Sequence, residues 1–184
     1  MNPKYLICSL TAAALLTPAS VGIVRSEGLQ HASHAASSTL PDAVRQATAR
    51  FLDIKQAIAE GYVESGGCVS GQEEGAMGVH YVKSLLFDGQ LDVAQPEALV
   101  YEPNKGSLAL VAVEYITPAA AWEGSHPGML PGLMGHLFHY VPGPNRYGAD
   151  TFYELHVWAW KSNPRGPFAD FNPNVSCADW KGTP

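Results

Sequence analysis

A chain of 184 residues, 46% of them apolar and 15% charged, is long enough for one domain with a sizeable core and has the composition of neither a disordered nor a membrane-embedded protein. Its 11 basic and 17 acidic residues give a formal net charge of -6, which makes nucleic acid a poor partner.

Met1-Asn2-Pro3-Lys4 precedes an uncharged run from Tyr5 to Pro18, rich in Leu and Ala, which reads as a signal peptide. The run is shorter than the ~20 apolar residues of a bilayer span, so no stable membrane insertion is expected after cleavage. Small residues at Thr17-Pro18-Ala19 and Val24-Arg25-Ser26 offer cleavage sites, and residues 1–26 are assigned to the leader. Its removal takes Lys4 and Arg25 from the 11 basic residues, leaving 9 against 17 acidic and a formal charge of -8. The expected destination is the periplasm or the extracellular space. Cys68 and Cys177 then remain in an oxidising compartment and are expected to pair, closing a loop worth ~4 to 5 kcal/mol at most by chain-entropy reasoning.

Residues 27–40 lack periodicity and read as a flexible lead-in, with His31 and His34 as solvated bystanders; residues 41–184 form the predicted globular domain. Thr39 can cap a helix, Pro41 suits its first turn, and Val44, Ala47, Phe51, Ile54 and Ile58 recur at helical spacing before Gly61. This predicts one amphipathic helix over 41–60. Gly and Pro then punctuate short β-prone runs, predicting strands at 78–83, 97–102, 107–116, 133–141 and 152–160, with a hairpin at Asn104-Lys105-Gly106. Longer loops at 117–132 and 142–151 can cover an opening, and an irregular tail from 161 is pinned back by Cys177. The expected fold is α+β: an N-terminal amphipathic helix packed on a curved, mostly antiparallel β-sheet or partial barrel that encloses a pocket.

Side chains alternate across a strand, so parity sorts the polar residues. In SLALVAVEYI, Leu108, Leu110, Ala112, Glu114 and Ile116 share one face, opposite Ala109, Val111, Val113 and Tyr115. Both faces are apolar, which predicts a central strand and a buried Glu114. In FYELHVWAW, Phe152, Glu154, His156, Trp158 and Trp160 share a face. Polar groups set among rings suit a ligand pocket wall.

His80, Glu114 and His156 can therefore converge inside a curved sheet, and two imidazoles with a carboxylate suit zinc, iron, copper or manganese in divalent form. His139, Glu154 or Glu102 would serve as a fourth ligand or as an orienting partner. The competing readings are hydrogen-bonded core histidines, and a metal-free His156–Glu114 proton-relay pair. No H-E-x-x-H, G-x-S-x-G or C-x-x-C motif is present, and Ser65–Gly71 lacks the setting of a serine nucleophile. The sequence thus predicts an exported metal-binding protein or small metalloenzyme, with oxidoreductase chemistry if the ion is redox active. The alternative is a non-catalytic module binding a small molecule in an aromatic-lined pocket of Tyr115, Phe152 and Trp158.

The phrases GCVSG, GAMGVHYV, LVYEP, LVAVEY and ELHVWAWKSNPRGPFADFNPNVSC resemble a family of small exported bacterial proteins of uncharacterised activity, over about residues 61 to 180. The resemblance implies that His80, Glu114, His156, Cys68 and Cys177 belong to its recurring phrases. GLMGHLFH departs from the family pattern, so the resemblance lends no support to His136 or His139 as ligands.

Overall fold

The computed structural model describes residues 38–145 and 148–182. The predicted leader, most of the predicted lead-in, and Arg146, Tyr147, Thr183 and Pro184 lie outside the described residues.

The expected single helix is broken in two. Helix α1 (Leu40–Thr48) starts at Thr39, whose hydroxyl accepts from the Asp42 amide, and runs into a 3-10 turn at Ala49–Leu52. Asp53 is extended, with its side chain accepting from the Lys55 amide, and so opens a second helix, α2 (Ile54–Ala59). The break shifts the helical phase: Leu40, Val44, Phe51 and Ala57 are buried, whereas Ile58, expected on the apolar stripe, is 55% exposed.

Six strands follow in one antiparallel, strongly curled sheet: β1 (Val63–Ser70), β2 (Ala76–Val82), β3 (Ala98–Asn104), β4 (Ser107–Pro118), then β7 (His139–Val141) and β8 (Phe152–Val157). Between β4 and β7 come α3 (Ala119–Ser125) and a separate two-stranded hairpin of β5 (Gly132–Leu133) and β6 (His136–Leu137). The order β1-β2-β3-β4-β8-β7 makes β4 central, as its two apolar faces require. The fold is the expected α+β arrangement.

Several boundaries differ from the sequence reading. Strand β1 was not anticipated, because Gly66-Gly67 reads as a turn; the register shift between Ser65 and Cys68 places this pair in a bulge within the strand. The predicted strand 133–141 is divided among β5, β6 and β7. The strand expected to reach residue 160 ends at Val157, after which the Trp158 amide donates to the Pro167 carbonyl and leaves the ladder.

The two sheet faces have different tasks. Val79, Tyr81, Leu99, Tyr101, Val113, Tyr115, Leu155 and Val157 pack with Leu40, Val44 and Phe51 in the main core. The Tyr101 hydroxyl donates to the Phe51 carbonyl at 2.8 Å, tying the sheet to the 3-10 turn. On the opposite, inner face, Val82, Ala98, Glu114 and His156 form one row across β2, β3, β4 and β8. Val100 and Ala112 lie in the next row on one side, and Ile116, Glu154 and His139 in the row on the other.

A bulge at Val111 corrects the parity of β4. Ala112 pairs with Val100 but Leu110 pairs with Tyr101, so Leu110 crosses to the core face while Ala112, Glu114 and Ile116 stay inside. The tail returns over the inner face: Asn172 bridges to Ala76, and Val175 packs with Val100, Ala112 and Trp158 beside Cys177. The expected Cys68–Cys177 disulfide holds this tail to β1.

Candidate metal centre

His80, Glu114 and His156 come together on the inner face from three strands, two of which, β4 and β8, are hydrogen-bonded neighbours. One ligand atom from each lies within 4.8 Å of the others. His80 Nε2 is 3.4 Å from Glu114 Oε2, and His156 Nδ1 is 3.8 Å from Glu114 Oε1. Donors bound to a tetrahedral ion at ~2.0 to 2.1 Å stand roughly 3.4 Å apart, so a small contraction brings the three into a common first shell. The His80 and His156 rings meet edge to face, with centroids 5.9 Å apart.

His156 is the most informative of the three. It is 1% exposed, and neither ring nitrogen has a hydrogen-bond partner. Trp158 stacks against it at 5.4 Å. Burial, helped by the neighbouring His80 and His139, pushes the His156 pKa down to about 3, so the imidazole is neutral and its lone pair is free to bind a cation. The competing expectation of a hydrogen-bonded core histidine does not describe it.

Glu114 is 5% exposed, and burial raises its pKa well above the usual carboxylate range. The second cause is Glu154, whose carboxyl hydrogen-bonds to that of Glu114. Two carboxyls so close behave as one titrating pair. A divalent cation would offset the repulsion between them, and the residues present fit such an ion: two imidazoles, one carboxylate, and a second carboxyl behind it.

The remaining candidates are more dispersed. His139 lies across from Glu154 in the ladder, but its side chain is 56% exposed and its Nδ1 is 3.6 Å from Asp170 Oδ1. Glu102 is bound to Lys161 Nζ at 2.5 Å and accepts from the Ser176 amide at 3.2 Å, which gives it a role in holding the tail. Phe152 lines the cavity beside the centre. Tyr115, named as a pocket residue from sequence, is a correction: it belongs to the main core on the opposite face, and its hydroxyl donates to the Val93 carbonyl at 2.8 Å. Trp158 is not in the wall of that cavity: it is a buried partner of His156 and of the second apolar cluster, and it lines a separate cavity with Arg45, Trp160 and Pro167.

A cavity of about 560 Å³ opens on the centre, with His80, Glu114 and Glu154 in its wall. Val69, Val82, Phe87, Ile116 and Phe152 supply apolar surface, and Ser65, Asp150 and Thr151 add polar groups. The loop before β8, expected to cover an opening, supplies Ala149, Asp150 and Thr151, whereas the contributions of β1 and of the loop after β2 escaped the sequence reading, since no local motif marks them. Glu97, 1% exposed at the start of β3, was also missed. It accepts from the Ile116 amide at 2.9 Å, and burial pushes its pKa up to about 8.

Among the described residues no helix is long and apolar enough to cross a membrane. Set beside known proteins, the chain matches no protein-family model, no curated protein and no solved structure.

Proposed function

We propose that the chain is an exported metal-binding protein with the ligand arrangement of a small metalloenzyme, and that His80, Glu114 and His156 hold one divalent transition ion. The observation that carries this reading is the His156 ring, sealed in the sheet with both nitrogens lacking hydrogen bonds and set within 4.8 Å of two further ligand atoms. A buried polar ring costs folding free energy unless something binds it, and a cation bound at Nδ1 would do so. Three protein ligands leave positions open, which is the arrangement of a catalytic centre more than of a closed structural one. Zinc, iron, copper and manganese all accept this donor set, and a redox-active ion would supply oxidoreductase chemistry. The Cys68–Cys177 disulfide and the resemblance over residues 61 to 180 support export.

The test is elemental analysis of protein purified without a histidine tag, followed by removal of the metal and reloading. About one equivalent of a transition ion is expected, lost in the double variant His80→Ala, His156→Ala. Absence of any stoichiometric ion from both isolated and reloaded protein rules the reading out. A second reading, a metal-free binding module, draws on the apolar cavity wall of Val82, Phe87, Ile116 and Phe152. It predicts that the same double variant retains its small-molecule affinity.

A further inference from the structure

The inner face divides into three zones along β4. At the Ala112 row, Val100, Trp158 and Val175 close the sheet with apolar packing. Glu114 and His156 stand in the next row, His80 reaches them from the Ala112 row, and from there through Ile116 to Pro118 the face opens into the cavity. His156 is absent from the cavity wall, whereas His80, Glu114 and Glu154 form part of it. An ion held by the three ligands therefore has His156 behind it and its open positions toward the cavity.

The charges around that space select what can occupy it. Apart from His80, the ionisable side chains among the described residues of the wall are Glu114, Glu154 and Asp150, all acidic, with no Lys or Arg. Among the described cations, Lys161 pairs with Glu102, Arg165 with Glu74 and Arg45 with Asp42, and Lys83, next to Val82, has its ammonium over the Tyr62 ring. Among the described wall residues no Lys or Arg stands ready to pair with a charged ligand, so a carboxylate or phosphate would have the ion alone as its partner, shared with the acids beside it, and would have to shed its water against a mostly apolar wall. A protonated amine suits the acids but has no lone pair for the metal. What remains is a neutral donor, with an oxygen or nitrogen lone pair at one end and an apolar body at the other. Phe87 and Phe152 provide ring surface for an aromatic body, and a volume of about 560 Å³ accommodates a molecule of one or two rings.

We infer that the substrate or ligand of this centre is an uncharged small molecule that presents a single oxygen or nitrogen donor to the metal and lays an aromatic or aliphatic body against Val69, Val82, Phe87, Ile116 and Phe152. The inference rests on the metal-centre reading and adds the class of molecule that the centre serves.

The experiment loads the full chain with Co²⁺, measures its stoichiometry, and then follows the visible bands of the ion during titration with three probes. These are 4-phenylpyridine, which is neutral with an apolar body; biphenyl-4-carboxylate, of matched size but anionic; and pyridine, which has the donor without the second ring. The expected order is 4-phenylpyridine tightest, with each of the others weaker by about tenfold or more, a difference of roughly 1.4 kcal/mol. Val69→Trp, which fills the cavity from the edge strand, is expected to weaken 4-phenylpyridine by at least about tenfold while Co²⁺ stoichiometry stays at one. Phe87→Ala, in the loop after β2, is expected to weaken it several-fold. Equal or tighter binding of the carboxylate, no advantage of the second ring, or no spectral response to any probe overturns the inference while the metal reading stands. Failure to take up Co²⁺ or any other transition ion overturns both.

Discussion

A neutral imidazole with no hydrogen bond at either nitrogen, 1% exposed, is a residue the apo fold tolerates at a cost. Unsatisfied buried polar groups cost about 1 to 3 kcal/mol each. His156→Leu is therefore expected to raise the stability of the metal-free protein by about 1 to 3 kcal/mol and to abolish stoichiometric metal binding. Urea denaturation in chelator, with and without added ion, checks this; a less stable apo variant would show that the ring serves packing instead. Glu97 carries a separate prediction. Its folded pKa of about 8 exceeds the ordinary 4.5, so the folded state keeps a proton that the unfolded state has lost. The stability due to neutral Glu97 is complete below about pH 4.5 and disappears as the pH rises through 8, by roughly 3 to 5 kcal/mol as an upper figure. Glu97→Gln keeps an acceptor for the Ile116 amide and lacks that ionisation, so its denaturation midpoint should fall less than that of the parent between pH 5 and pH 8. Identical pH profiles would assign Glu97 no part in acid–base stability.

Among the elements, β2 and β4 show what alternation reveals and what it hides. The two apolar faces of SLALVAVEYI made β4 central and Glu114 buried, and the parity of FYELHV set Glu154 and His156 on one side. Those inferences need only the two-residue period of a strand. The Val111 bulge was not legible, because an extra residue in the ladder leaves the hydrophobic pattern intact when both faces are apolar. The bulge in β1 hid a whole strand behind Gly66-Gly67. The helix break was hidden too, since Asp53 reads as a polar helical position until its side chain is seen capping Lys55. Which strands become neighbours is a tertiary property, and so the meeting of His80 with Glu114 and the contact of Glu154 with Glu114 were beyond parity alone, whereas the place of Tyr115 on the face opposite Glu114 was already set by parity. Gly78 marks how tightly the β2–β3 pair is built: its φ is +122°, and a Cβ there would stand 2.6 Å from the Tyr101 carbonyl oxygen. Gly78→Ala is expected to cost about 2 to 4 kcal/mol, and to weaken metal affinity because His80 lies two residues along the same strand. Thermal unfolding and metal titration test both parts; an unperturbed melting point would mean that the backbone yields there freely.

For the molecule as a whole, the disulfide spans 109 residues and joins the first strand to the tail that closes one end of the inner face. Replacing both cysteines by serine should lower stability by on the order of 4 to 5 kcal/mol, read as a shift in the urea midpoint. The three candidate ligands come from β2, β4 and β8, none of which carries a cysteine, so metal stoichiometry should survive in whatever fraction remains folded. Loss of the ion from folded, reduced protein would instead make the tail part of the centre.

The division of labour between the two sheet faces extends to how the chain can vary. Along β8 the residues Tyr153, Leu155 and Val157 belong to the main core, and the intervening Phe152, Glu154 and His156 belong to the inner face. A saturation map of this strand scored once for abundance and once for metal uptake should read as two interleaved combs, each with its teeth in the gaps of the other. Neighbours one peptide bond apart would then answer to different selective demands, so the inner face could change its chemistry while the core beneath it keeps its sequence.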